Sequence, residues 1–130
     1  MLPRDLPDGP AILYCDGRAV GPIRVAATRR ARYRGLLGED SIDGALLLLK
    51  TNGVHTIGMR FPIDVAYLSR TLKVIDITHL APNRWSRNRL TARHTLETAE
   101  GRLTEWGIER GSQLTVERLY ENPADVVEPE

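Results

Sequence analysis

Cysteine is nearly absent from the chain. Cys15 stands alone among 130 residues, which excludes an internal disulfide and any Cys-x-x-Cys metal or redox pair. Aromatic residues make up only 5%, so a stacking surface for single-stranded nucleic acid has little to draw on. No apolar run is long: the richest, Ala45 to Leu49, falls far short of the ~20 residues that span a bilayer. Met1 to Asp8 mixes acids, prolines and leucines, without the apolar stretch of ~7–15 residues that a secretory signal carries. These absences lead us to expect a cytoplasmic protein with no membrane segment. No G-x-G-x-x-G, P-loop, G-x-S-x-G or H-E-x-x-H pattern occurs, so no nucleotide cofactor, nucleophile elbow or metal site is expected. His55, His79 and His94 lie far apart in sequence, without the close spacing of metal ligands.

What is present suits an ordinary globular core. At 42% hydrophobic and 27% charged residues, the chain falls in the range of a single folded domain of ~100–150 residues. The net charge of +1 hides an asymmetry. Residues 1–94 carry 15 arginines and lysines against 8 acids, and residues 95–130 carry 3 against 9. Arg18 to Arg34 and Arg84 to Arg93 contain arginines and no acid. A near-neutral chain lacks the usual basic footprint of a nucleic-acid reader, so these stretches are taken as solvated faces, with no specific nucleic acid as partner.

Hydrophobic patterning places a body between two loose ends: residues 1–10 with three prolines, a domain over 11–120, and an acidic, proline-punctuated tail over 121–130. Within the body, short runs with strand character alternate with turn signals. Strands are expected at 11–15, 23–27, 44–49, 54–59, 63–68, 73–80, 93–98 and 113–119. Thr28 can cap a helix over 29–37, with Tyr33, Leu36 and Leu37 on one face and Gly38 as its left-handed stop. A second short helix is expected over 99–106, ended by Gly107 with Ile108 against its last turn. The pattern predicts a mainly β fold, a compact sandwich or barrel-like single domain with two short helices.

The segment Val54-His55-Thr56-Ile57-Gly58-Met59-Arg60-Phe61-Pro62-Ile63-Asp64-Val65 resembles the hallmark of the domain of unknown function 192 family. Arg34-Gly35-Leu36-Leu37-Gly38, the strand led by Gly44, and Glu97 through Gly101 followed by Trp106-Gly107-Ile108 and Gly111 resemble further family stretches in the same order. Ser112 stands where relatives often carry aspartate. The resemblance implies a compact β-rich domain with two short helices and implies no activity.

The hallmark segment is the candidate site. An extended chain would project His55, Ile57 and Met59 to one face. Arg60 offers a planar fork for carboxylate or phosphate, and Asp64 a carboxylate to orient Arg60 or His55. Arg34 adds a second cation. The polar loop 82–92, with Asn83, Arg84, Trp85, Arg87 and Arg89, is long enough to act as a lid. The sequence therefore points to a pocket lined by Arg34, His55, Met59, Arg60, Asp64 and Trp85 for a small anionic ligand or a peptide group. Two alternatives stay open: a hydrolase-type enzyme using His55 and Asp64 as an acid–base pair, and a protein interaction module. The structural reading pairs Arg60 with Asp64 and leaves His55 and Met59 at the edges of the core.

Overall fold

The computed structural model describes residues 2–119. Seven strands form one sheet: β1 (Gly9–Cys15), β2 (Arg18–Ala26), β3 (Ala45–Leu48), β4 (Ile63–Leu68), β5 (Val74–Leu80), β6 (His94–Ala99) and β7 (Leu114–Arg118). Two short helices, α1 (Arg29–Arg34) and α2 (Arg102–Glu105), complete a mainly β domain of the expected class. The strand order is β5-β4-β6-β3-β2-β1-β7. β2 and β3 run parallel and the other neighbours antiparallel. The sheet is open but curls until its ends touch. Lys73 bridges Gln113, and the Val74 N–H donates to the Ser112 carbonyl at 2.9 Å.

Local chemistry accounts for the main turns. Asp16 and Gly17 both take positive φ, 49° and 82°, which gives the two-residue hairpin joining β1 to β2 its strand-matching twist. Gly44 enters β3 at φ 71° with its Cα facing the Pro22 carbonyl of β2, where a Cβ would collide. That close approach lets the parallel pair β2–β3 begin. At the end of α2, Gly107 N–H donates to the Thr104 carbonyl at 3.0 Å and Ile108 N–H to the Leu103 carbonyl at 2.9 Å. This is the paired arrangement of a Schellman stop, and it drives Ile108 into the core.

The sheet carries an apolar layer on each face. One contains Leu13, Val25, Leu47, Leu68, Leu96, Leu103 and Trp106. The other contains Leu46, Leu48, Ile63, Val65 and Tyr67, covered by Leu36, Val54, Met59 and Ala92. Strand β3 is therefore buried on both sides, as its unbroken Ala45-Leu46-Leu47-Leu48 run predicts.

Three expectations differ from the structure. Val54 to Met59 is not a strand; the segment turns, and within it only His55 pairs, with Trp85. Thr56 accounts for this, because its backbone and hydroxyl are committed to the loop above. The first helix stops at Arg34, three residues early, because Gly35 already takes positive φ at 47°. Leu36 still reaches the core from the following turn, whereas Tyr33 points outward at 86% exposure. The second helix is confined to four residues, since β6 extends to Ala99.

Within the first ten residues, Leu6 is buried and the Asp8 carboxylate accepts from the Thr28 N–H at 2.9 Å and its hydroxyl at 2.7 Å. Thr28 in turn caps α1, its Oγ1 accepting from the Ala31 N–H at 3.2 Å. The tail over 121–130 lies outside the described residues. Among the described residues no helix is long and apolar enough to cross a membrane.

Candidate functional site

Thr56 is the hinge of the hallmark region. It is fully buried and its hydroxyl donates to the Ala81 carbonyl while accepting from the Arg84 N–H at 2.9 Å. Its own N–H donates to the Arg84 carbonyl at 2.8 Å, and its carbonyl accepts from Asn83 N–H at 2.8 Å and Met59 N–H at 3.0 Å. The Asn83 side chain accepts from Gly58 N–H at 3.0 Å, and Val54 and Ser86 exchange two further bonds. The polar loop is thus fastened over the hallmark segment by backbone and side-chain hydrogen bonds together.

The six sequence-derived residues divide. His55 and Trp85 come together, ring centroids 4.8 Å apart, with Trp85 73% exposed. Arg34, His55 and Met59 line one cavity. Arg60 lies outside it and pairs with Asp40 at 2.8 Å on an exposed surface, not with Asp64; that hydrogen bond raises its pKa. Asp64 also lies outside. One of its oxygens meets His79 Nδ1 at 2.9 Å and the other accepts from the Gly101 N–H at 2.9 Å. The carboxylate thereby ties β4 to β5 and to the turn before α2. It orients His79 rather than His55, because β5 is its hydrogen-bonded neighbour in register. His94 sits elsewhere again, its Nδ1 accepting from the Lys50 N–H at 2.9 Å. The three histidines share no site.

The cavity has a volume of about 210 Å³ and lies between α1 with its following turn, residues 51–59, and the central strands. Leu36, Leu37, Leu48, Val54 and Met59 form apolar walls. Arg32, Tyr33, Arg34 and His55 supply its polar and aromatic margin. The Arg32 guanidinium is held in place by the Leu49 and Lys50 carbonyls, both at 3.3 Å. Arg34 stands 3.8 Å from Glu39 and stays largely exposed.

The cavity residue that sequence patterning did not single out is Glu97. It lies on β6, opposite Leu46 of β3 and Val65 of β4, so its side chain shares a face with apolar neighbours on both sides. Only 5% of it is exposed, and it lines the cavity. Among the described residues it forms no hydrogen bond or ion pair. Burial alone pushes its carboxyl up to about 7. The signal in the sequence was an acid at the centre of a strand, His94-Thr95-Leu96-Glu97-Thr98, that has to be buried on both faces. On the same sheet face, Thr95 and Tyr67 have buried oxygens without a well-formed partner, though Ser86 lies beside the Tyr67 hydroxyl. Buried polar groups are nearly always paired, and an acid with a displaced pKa in a cleft is a candidate for a functional site.

The profile of the DUF192 family, described as Uncharacterized ACR, matches residues 12–116. The chain belongs to this family. No curated protein matches it. Among solved structures, a proposed transcription regulator from Sinorhizobium meliloti superposes with a TM-score of 0.71 at 15% identity, covering 86% of this chain and 97% of that one. A protein of unknown function from Novosphingobium aromaticivorans gives 0.67 at 15% identity, covering 83% and 84%. At this identity the likeness is one of fold.

Proposed function

We propose that the protein is a small-ligand-binding domain whose site is the cavity beneath α1, and that it receives a small molecule or peptide end bearing an anionic group. The observation that carries this reading is the Glu97 carboxyl, unpartnered among the described residues, at a cavity whose margin holds Arg34 and His55. Apolar walls with a few placed polar groups are the usual make-up of a small-molecule site. Arg34 supplies the anion-directed fork, Met59 part of the floor, and Trp85 backs His55 from outside. Arg60 and Asp64 support the surrounding surface and need not touch the ligand.

A hydrolytic reading has less support. A near-neutral carboxyl suits general acid–base work, but the lining offers two hydroxyls, the phenol of the outward-pointing Tyr33 and that of Thr51, which donates to the Leu49 carbonyl at 3.1 Å. His55 and Asp64 have separate partners. Amide chemical-shift mapping tests the binding reading. Titration with small carboxylates, phosphates and amino acids should move resonances of residues 32–37, 51–59 and 95–97. Filling the cavity with Leu37→Trp should suppress those shifts. Shifts confined to the arginine-rich stretch 84–93 would contradict the assignment.

A further inference from the structure

The cavity is chemically lopsided, and the imbalance specifies its ligand. One nearly buried carboxyl, Glu97, lines it, and among the described residues no cation pairs with that group. Its strand neighbours, Leu46 and Val65, are apolar. The charged and titratable groups on its side of the sheet are Arg32 and Arg34 from α1, His55 from the hallmark segment and Tyr67 from β4, with Arg24 of β2 beyond Leu46 and Arg89, paired with Asp76, over the Tyr67 ring. None of these forms a bond to it. A buried carboxylate without a counter-charge is costly; protonation relieves the cost in the free protein, and a cation brought into contact with it relieves the cost in the ionised form. A simple amine would have to pass two guanidinium groups at the margin. A simple anion would meet the margin well but press on Glu97. A molecule with positive and negative ends satisfies both.

Resting on the cavity reading above, we propose that the ligand is a free α-amino acid with an apolar side chain, its ammonium group against Glu97 and its carboxylate toward Arg34 and His55. The walls of Leu36, Leu48, Val54 and Met59 receive the side chain. Charge-assisted bonds at both ends fix the orientation and reject analogues that leave either group unpaired.

Proton bookkeeping separates this ligand from a plain acid. Free Glu97, with its carboxyl near 7, is mostly protonated at pH 6. An incoming ammonium ionises it, so close to one proton is released on binding. A ligand that instead accepts a hydrogen bond from protonated Glu97 releases none.

The test is calorimetric titration of the intact protein at pH 6 in two buffers of different ionisation enthalpy, with L-leucine, 4-methylpentanoate (no ammonium) and isoamylamine (no carboxylate). Leucine should bind at least tenfold more tightly than either analogue, with near-stoichiometric proton release. Glu97→Gln should weaken leucine at least tenfold and leave 4-methylpentanoate unchanged. Arg34→Met, at an exposed side chain that folding does not need, should weaken leucine and 4-methylpentanoate together and spare isoamylamine. Binding of 4-methylpentanoate as tight as leucine, without proton release, overturns the amino-acid assignment while the cavity reading stands. Absence of heat with all three, together with unmoved amide resonances across the panel, overturns both.

Discussion

Replacing Glu97 by glutamine removes its charge and keeps its shape, so the variant isolates what an ionised carboxylate costs in this layer. In the folded chain the carboxyl titrates near 7 rather than at its ordinary 4.5. The difference, 7 − 4.5 = 2.5, at ~1.4 kcal/mol for each pH step, corresponds to about 3 kcal/mol against the ionised form. The sign follows from proton binding. Between pH 4.5 and 7 the native state holds a proton that the unfolded chain has released, so stability falls as pH rises through that window. For one group with these values, about 1 kcal/mol is lost by pH 5 and about 3 kcal/mol by pH 8. The wild type should therefore lose about 2 kcal/mol more than Glu97→Gln between pH 5 and pH 8. Urea unfolding at the two pH values reads this directly. At a slope of ~1.5 kcal/mol per molar, the midpoints should diverge by about 1.5 M. Groups such as His94 titrate in both proteins and cancel. Parallel pH dependence, or a wild type more stable than the variant at pH 8, would refute the claim that Glu97 is buried without a partner.

Other substitutions separate surface from framework. Arg60→Ala and Trp85→Ala should leave the melting temperature nearly unchanged, because the Arg60–Asp40 pair and the Trp85 ring are both exposed; large losses in thermal melts would place these side chains in the core. Asp64→Ala should cost about 2 kcal/mol in urea unfolding, since it removes a charge-assisted bond to His79 and orphans the Gly101 N–H; a neutral effect would show the tie between β4, β5 and α2 to be idle. Gly44→Ala should destabilise by at least ~2 kcal/mol, combining positive φ with a collision at the Pro22 carbonyl, and a wild-type unfolding curve would contradict the close β2–β3 approach.

Much of the sheet could be read from patterning because the residues concerned answer to local rules. The all-apolar run Ala45 to Leu48 became a strand buried on both faces, Asp16-Gly17 became a hairpin turn, and Gly107 with Ile108 closed the second helix. Val54 to Met59 misled because its alternating apolar residues fit a strand, whereas Thr56 draws the chain into a turn through partners some 25 to 30 residues away. Arg60 and Asp64 are close in sequence, yet Ile63 begins a strand whose pairing hands Asp64 to His79. Long-range register of this kind leaves no mark at four-residue spacing. Glu97 was visible as the start of a family stretch, but its burial was not, because that is set by β3 and β4 on either side and not by its own neighbours in the chain.

The most direct measurement is a crystal structure of the protein soaked with leucine near pH 7. Density for the ligand should fill the space between α1 and β6, its amino nitrogen within hydrogen-bonding distance of the Glu97 carboxylate and its carboxylate turned toward Arg34. A cavity closed by inward rotation of Tyr33 and Leu37, or leucine seated on the surface away from Glu97, would contradict the account.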